Sequence, residues 1–148
     1  MAVRVLVLTG IAVLATAVAA AASKPPAGAR FSGRTSQGFP IKLRVTPDAG
    51  AVTLGLDTRE RCSDGHTYRS HTTFQKQRPA LKADGSFDFV ERDANVPPVG
   101  AMKAPFDQTQ HVRGRFSGRR VSGSYFSQIR GHDGLRCTLR VTFRGRRR

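Results

Sequence analysis

Apolar and polar residues alternate with a period of two along most of this chain. Ile41, Leu43 and Val45 alternate with Lys42, Arg44 and Thr46. After Pro47-Asp48-Ala49-Gly50, Val52, Leu54 and Leu56 alternate with Thr53, Gly55 and Asp57. A strand turns successive side chains to opposite faces, so these runs predict a β-hairpin with one buried face. Tyr68 to Phe74, rich in threonine and aromatics, reads as a third strand. Leu81–Ala83 and Phe87–Glu91 predict a second hairpin about Asp84-Gly85-Ser86, with Phe87 and Phe89 turned to the core. Arg92 to Pro105 has no period and carries Pro97-Pro98 and Gly100, which predicts a long loop.

Three more strands follow, His111–Phe116, Val121–Ile129 and Leu135–Phe143, with Ser117-Gly118-Arg119 and Gly131-His132-Asp133-Gly134 as turns. In the last, Leu135, Cys137, Leu139, Val141 and Phe143 share one face, and Arg136, Thr138, Arg140, Thr142 and Arg144 the other. No helical spacing longer than a turn or two occurs after the first 22 residues. Seven or eight short strands joined by tight turns predict an all-β fold, an antiparallel meander forming a β-sandwich or a small barrel. A barrel would leave no exposed edges.

The amino terminus differs from all of this. Arg4 precedes the apolar run Val5–Ala15 and the small residues Thr16–Ala22, the form of a secretory signal with cleavage after Ala22. The run is just long enough for a membrane anchor, but its second half is mostly alanine and a cleavage site follows at once. The expected division is a signal peptide over 1–22, a disordered spacer over 23–29, one domain over 30–144 and a basic tail over 145–148. The chain is then secreted or held at the cell envelope, with no transmembrane segment after cleavage.

Export bears on the cysteines, of which there are two. Outside the cytoplasm, Cys62 and Cys137 are expected to form one disulfide. Cys62 with His66 and His132 with Cys137 resemble zinc-ligand pairs, but neither spacing is a familiar one, and an oxidising compartment favours the bridge. No metal or cofactor is expected. Catalytic patterns are also absent: there is no Gly-x-Ser-x-Gly elbow, and Asp84, Asp88, Glu91 and Asp93 suit a solvated hairpin end better than a carboxylate pair. His66, His71, His111 and His132 read as turn or outer-face residues. The repeat Arg30-Phe31-Ser32-Gly33-Arg34 and Arg115-Phe116-Ser117-Gly118-Arg119 reads as two core phenylalanines, each followed by a turn.

Formal net charge is +15, and arginine supplies 20 of the 25 basic residues. Parity places His111, Arg113 and Arg115 outward on one strand and Arg136, Arg140 and Arg144 outward on the last. Ser122, Ser124, Phe126 and Gln128 lie between them. Neighbouring strands are about 4.8 Å apart, so Arg113, Arg115, Phe126, Arg136, Arg140 and Arg144 predict one arginine–aromatic face. Such a face suits an anionic envelope polymer or polysaccharide, with no specific nucleic-acid role expected; a plain solvated surface has the same pattern.

Gly33-x-Thr35-Ser36-Gln37-Gly38-x-Pro40-Ile41, Cys62-x-Asp64-Gly65, Asp84-Gly85-Ser86-Phe87, Gly114-x-Phe116-x-Gly118-x-x-Val121-x-Gly123 and the final cysteine-bearing strand occur in order. Together they resemble a family of small secreted β-domain proteins of actinobacteria, largely uncharacterised. This chain departs from that family at Cys137-Thr138-Leu139 and Thr142-Phe143-Arg144. The resemblance implies fold and export, and no activity. The functional expectation is an exported, non-enzymatic binding or envelope-associated module. A small-ligand carrier with a pocket in the barrel mouth, near the 92–105 loop, is the second expectation, and a secreted hydrolase the third.

Overall fold

A computed structural model describes residues 23–100 and 102–148, so the expected signal segment lies outside the described residues. Eight strands follow in order: β1 Arg30–Thr35, β2 Pro40–Val45, β3 Val52–Cys62, β4 Thr67–Phe74, β5 Ser86–Val96, β6 Phe106–Ser117, β7 Arg120–Gly131 and β8 Arg136–Arg147. All pair antiparallel, in the order β4-β3-β2-β1-β8-β7-β6-β5. The chain therefore makes two four-stranded meanders, joined where Phe31–Thr35 of β1 lies against Phe143–Arg147 of β8.

Closure depends on the length of β3. Its first half pairs with β2, and its last two residues, Arg61 and Cys62, pair with Thr138 and Cys137 of β8. The β1–β2 hairpin is thus inserted between β3 and β8 at one end, and those two strands meet directly at the other. β1, β2, β3 and β8 close a hydrogen-bonded ring, and of the two expected architectures the protein is a small barrel. The sheet's terminal strands, β4 and β5, share no ladder; Phe74 meets Phe89 edge-on there, with ring centroids 5.8 Å apart.

Glycines shape the core. Phe87, Gly114, Gly123 and Phe143 lie in one row across β5, β6, β7 and β8. A Cβ on Gly114 would strike the Phe87 ring, and one on Gly123 the Phe143 ring. The two missing side chains make room for two buried aromatic rings. The repeated phenylalanines, Phe31 and Phe116, pack on each other with centroids 4.7 Å apart. Only the second repeat turns: Gly118 has φ 55°, whereas Ser32-Gly33 runs mid-strand, where Gly33 lets β1 pass against the Arg144 backbone.

Several boundaries differ from expectation, each for a backbone reason. β3 runs on from Leu56, where the alternation ends, to Cys62. The expected loop begins only at 97, because Arg92–Val96 continues β5 along β6. An edge strand half in water needs no apolar alternation, so nothing in its pattern announced it. Leu81 contributes a single bridge to Phe87 and no strand. The spacer is not free either: Pro25 is buried, Gly28 N–H donates to Thr46 O, and Val45 N–H donates to Ala29 O. The basic tail is the end of β8, where Arg147 N–H donates to Arg119 O and Arg148 N–H to Arg30 O. Main-chain groups need partners whatever side chains they carry, and neither the outward Arg146 and Arg148 nor the half-buried Arg147 interrupts the ladder.

Candidate functional site

Four aspartates are used in turns. Asp48, Asp64, Asp84 and Asp133 each accept the backbone N–H two residues on, at 2.9–3.1 Å. This local bond mimics a backbone turn. Three more stand on the outer face against histidines: Asp57 with His71, Asp88 with His111 and Asp107 with His132. His66 sits on the Asp64 turn. The expected outward placement of all four histidines is what the structure shows.

The predicted arginine face exists as a surface. Arg113, Arg115, Arg136, Arg140 and Arg144 are all exposed, and Phe126 is half-buried. Phe126 lies between His111 and Arg140 in register, and the Arg140 guanidinium stacks over its ring at 5.5 Å. Arg115, Ser122, Arg144 and Arg34 form one row across four strands. Arg113 donates to Ser124 Oγ at 3.2 Å. Arg115 is tied to Asp84, whose carboxyl is held far below the usual range by the Ser86 hydroxyl, the Ser86 N–H and Arg115. Arg136 stands apart, opposite Arg130 and eight residues along β8 from Arg144, about 26 Å away. The six residues are a stripe rather than a cluster. A shallow depression of about 340 Å³ runs between Arg113, Arg115, Ser122 and Ser124.

Two further basic features were not anticipated. A groove of about 570 Å³ crosses the outer face of β1–β4, bordered by Arg30, Lys42, Arg44 and Arg148. Beside it, Arg59 and Arg69 hold the Phe39 ring between them, at 5.4 and 5.2 Å. Gln37 explains that fixture: its amide exchanges two hydrogen bonds with the Arg59 backbone, pinning the β1–β2 turn to β3.

The interior divides into an apolar half and a polar half. At the β1–β2 end it is filled by side chains such as Phe31, Leu43, Leu54, Phe116 and Phe143. Towards the disulfide, the inward positions become Thr58 and Glu60 on β3, Ser70 and Thr72 on β4, Gln108 and Gln110 on β6, and Tyr125 and Ser127 on β7. Thr58 Oγ1 and Ser70 Oγ are 2.8 Å apart, Tyr125 donates its hydroxyl to Gln110 Oε1 at 2.9 Å, and Thr72 Oγ1 lies 3.3 Å from the same hydroxyl. Burial pushes the Tyr125 hydroxyl up to about 12.

Glu60 is the outlier of this belt. It is 3% exposed, yet only Oε1 is bonded, weakly, by Ser70 at 3.5 Å. Oε2 has no hydrogen-bond partner among the described residues. Ser127 stands beside the carboxyl and draws its pKa down, without a hydrogen bond of normal geometry. Burial outweighs these contacts and holds Glu60 above the ordinary carboxylate range.

A cavity of about 450 Å³ adjoins this carboxyl. Glu60, Ser70, Thr72, Gln108 and Gln110 give it a polar wall, and Tyr68, Phe106, Ile129 and the Cys62–Cys137 bridge an apolar one. Val99, Gly100 and Met102 border it from the loop. Cys62 and Cys137 are cross-strand partners with Cα atoms 4.1 Å apart, joined by the expected disulfide. Glu60 was missed because Asp57 to Arg61 reads as a polar run. Parity carried on from Val52, Leu54 and Leu56 to Cys62 would have put Glu60 inward.

Among the described residues, no group of three or more His, Cys, Asp or Glu could hold a metal ion, and no helix is long and apolar enough to cross a membrane. No protein-family model, curated protein or solved structure matches the chain. The resemblance to small secreted β-domain proteins therefore rests on its motifs alone.

Proposed function

We propose that this protein is an exported, non-enzymatic β-barrel that binds a small ligand in the cavity bordered by Val99, Gly100 and Met102. One observation carries the reading: a barrel whose apolar half is filled leaves its other half hollow, beside a carboxylate oxygen without a partner. A buried polar group that the protein leaves unmatched costs stability unless water, an ion or a ligand meets it, and a charged one costs more than the hydroxyls of Thr35 and Ser127, which share that condition. The volume lies within the ~300–1,000 Å³ usual for small-molecule sites, and apolar walls with a few convergent polar groups are their usual lining.

Met102 is the sole methionine after Met1, so its methyl resonance reports on the mouth. Titration with a panel of aromatic and alicyclic fragments is expected to shift Met102 and Ile129 while leaving Val45 and Leu54 unmoved. Met102→Trp is expected to abolish the effect. If no fragment moves these methyls, the cavity is not a binding site.

The outer surface supports a second role, attachment to an anionic envelope polymer or polysaccharide. Arg140 stacked on Phe126 favours it, as does the lack of any acidic partner for Arg113, Arg136, Arg140 or Arg144 among the described residues. Retention on heparin or purified cell wall is expected to be salt-sensitive and weakened by joint Arg113, Arg136 and Arg140→Ala changes. Equal retention of that variant would remove the role.

A further inference from the structure

Charge in this barrel is sorted by face. Of ten acidic residues, four are spent in turns and three face histidines outside. The remaining three, Glu60, Glu91 and Asp93, all occupy inward register positions. Glu91 pairs with Gln110 and Asp93 with Gln108, the two glutamines of the cavity wall. Basic residues show the opposite distribution. Inward positions of the strands hold none of the 25 except Arg147, which pairs with Phe31 at the opposite, filled end. Arg69 and His71 border the cavity through positions whose side chains turn outward to Asp57. A chain of net charge +15 has therefore placed one carboxyl in the wall of this cavity, two more at inward positions beside its glutamines, and turned its bordering cations outward.

Building on the ligand-binding reading, we infer that the cavity takes a small organic cation, a protonated amine on an apolar body, with its ammonium group on Glu60. The chemistry of the walls fits each part of such a ligand. Glu60 Oε2 is a buried acceptor with no donor, and an ammonium brings both the donor and the charge that a desolvated carboxylate lacks. Ser70 and Thr72 offer further oxygen acceptors, as a three-donor head group requires. Tyr68 and Phe106 present aromatic surface, which attracts cations more strongly when water is excluded. An anionic ligand would meet the Glu60 carboxyl, while the two basic residues at the rim, Arg69 and His71, turn outward to Asp57. A neutral hydroxyl could donate to Oε2 but would bring no charge to offset that of the buried carboxylate.

The test is calorimetric titration of the oxidised protein at pH 8 with 2-phenylethylammonium, 2-phenylethanol and 3-phenylpropanoate, while the Met102 methyl is followed by NMR. The ammonium compound is expected to bind roughly 10- to 100-fold more tightly than the alcohol, the range of a buried charge-assisted hydrogen bond, and the anion not measurably. Glu60→Gln is expected to erase that preference while leaving alcohol binding in place. If the alcohol or the anion matches the ammonium compound in the wild type, the cation inference fails and the ligand-binding reading stands. An unchanged preference in Glu60→Gln also overturns it, by placing the cation elsewhere. If none of the three compounds shifts Met102 and the fragment panel is equally silent, both readings fail together. Should Glu60→Gln not fold, a pH series on the wild type decides. The titratable groups around Glu60 are Tyr68, its partner in register, and Tyr125, neither cationic, and Arg69 and His71 at the rim turn outward to Asp57, so ammonium affinity must fall as pH is lowered towards 4.5 while alcohol affinity holds. Parallel behaviour of the two compounds in that series overturns the inference.

Discussion

Gly114 and Gly123 show how much a single position decides here. Each occupies an inward site that an aromatic ring from the neighbouring strand has filled. Gly123→Ala or Gly114→Ala would force Phe143 or Phe87 out of place, and urea titration is expected to show a loss of about 1–3 kcal/mol. Glu60 is the second such position, and its effect depends on pH. Its folded pKa is raised above 4.5 by burial, so the folded state binds the proton more readily than the unfolded chain. Its contribution to stability is complete below pH 4.5 and is lost as pH rises through the folded value. Glu60→Gln, which does not titrate, is expected to melt above the wild type at neutral pH, with the gap closing below pH 4.5. Thermal melts across that range check it. A variant that gains stability while losing ligand preference is what a functional carboxylate buried at a cost would give. Neither position was equally visible beforehand. The glycines stood out as a motif without a meaning, and Glu60 was hidden among Asp57, Arg59 and Arg61.

Strands behave differently from residues, because backbone pairing ignores much of what pattern records. β8 was legible from its five alternations, yet its true end lies beyond Phe143, in residues that read as a basic tail. Those residues complete the seam with β1: Gly33 faces Gly145, Ser32 faces Arg146, and Phe31 faces Arg147. Deleting 145–148 is therefore expected to cost about 2–4 kcal/mol, several ladder bonds' worth, where a solvated tail would cost nothing. Chemical denaturation of the truncated chain separates the two outcomes. The opposite end of β8 is held by the disulfide, at the point where β3 leaves β2 and joins β8. Closing a loop of 75 residues stabilises the fold by up to about 4–5 kcal/mol in the chain-entropy account. Joint Cys62→Ala and Cys137→Ala changes are expected to approach that loss. Because the bridge also lines the cavity, hydrogen exchange in the variant should rise first at Arg61, Thr138 and their neighbours.

The molecule as a whole carries two chemically opposite surfaces on one sheet. Its outside is strongly basic, with a groove over β1–β4 and a stripe over β6–β8, and the hollow half of its inside is acidic. A period of two makes this separation possible, since adjacent residues never share a face. The two surfaces predict independent behaviour. Salt should weaken attachment to an anionic polymer steeply, and the triple arginine variant should reduce the slope of log affinity against log salt by up to about 3. The cavity, screened by protein, should respond far less to the same salt. Chromatography on heparin beside calorimetry with 2-phenylethylammonium, both across a salt series, measures the two responses on one sample.

Local pattern was enough to determine the all-β class, several of the turns, the core face of most strands, the outward placement of most arginines and the pairing of two cysteines. Each follows from period, turn chemistry or the count of cysteines, which act within a few residues or on composition alone. Barrel closure, the continuation of β3 to β8, the packing of residues 25–29 and 145–148, and the hollow beside Glu60 were decided only in three dimensions. Those features depend on which edge meets which, and on whether side chains from six strands fill the space between them. Alternation reports that a residue faces inward, but not how much room it finds there.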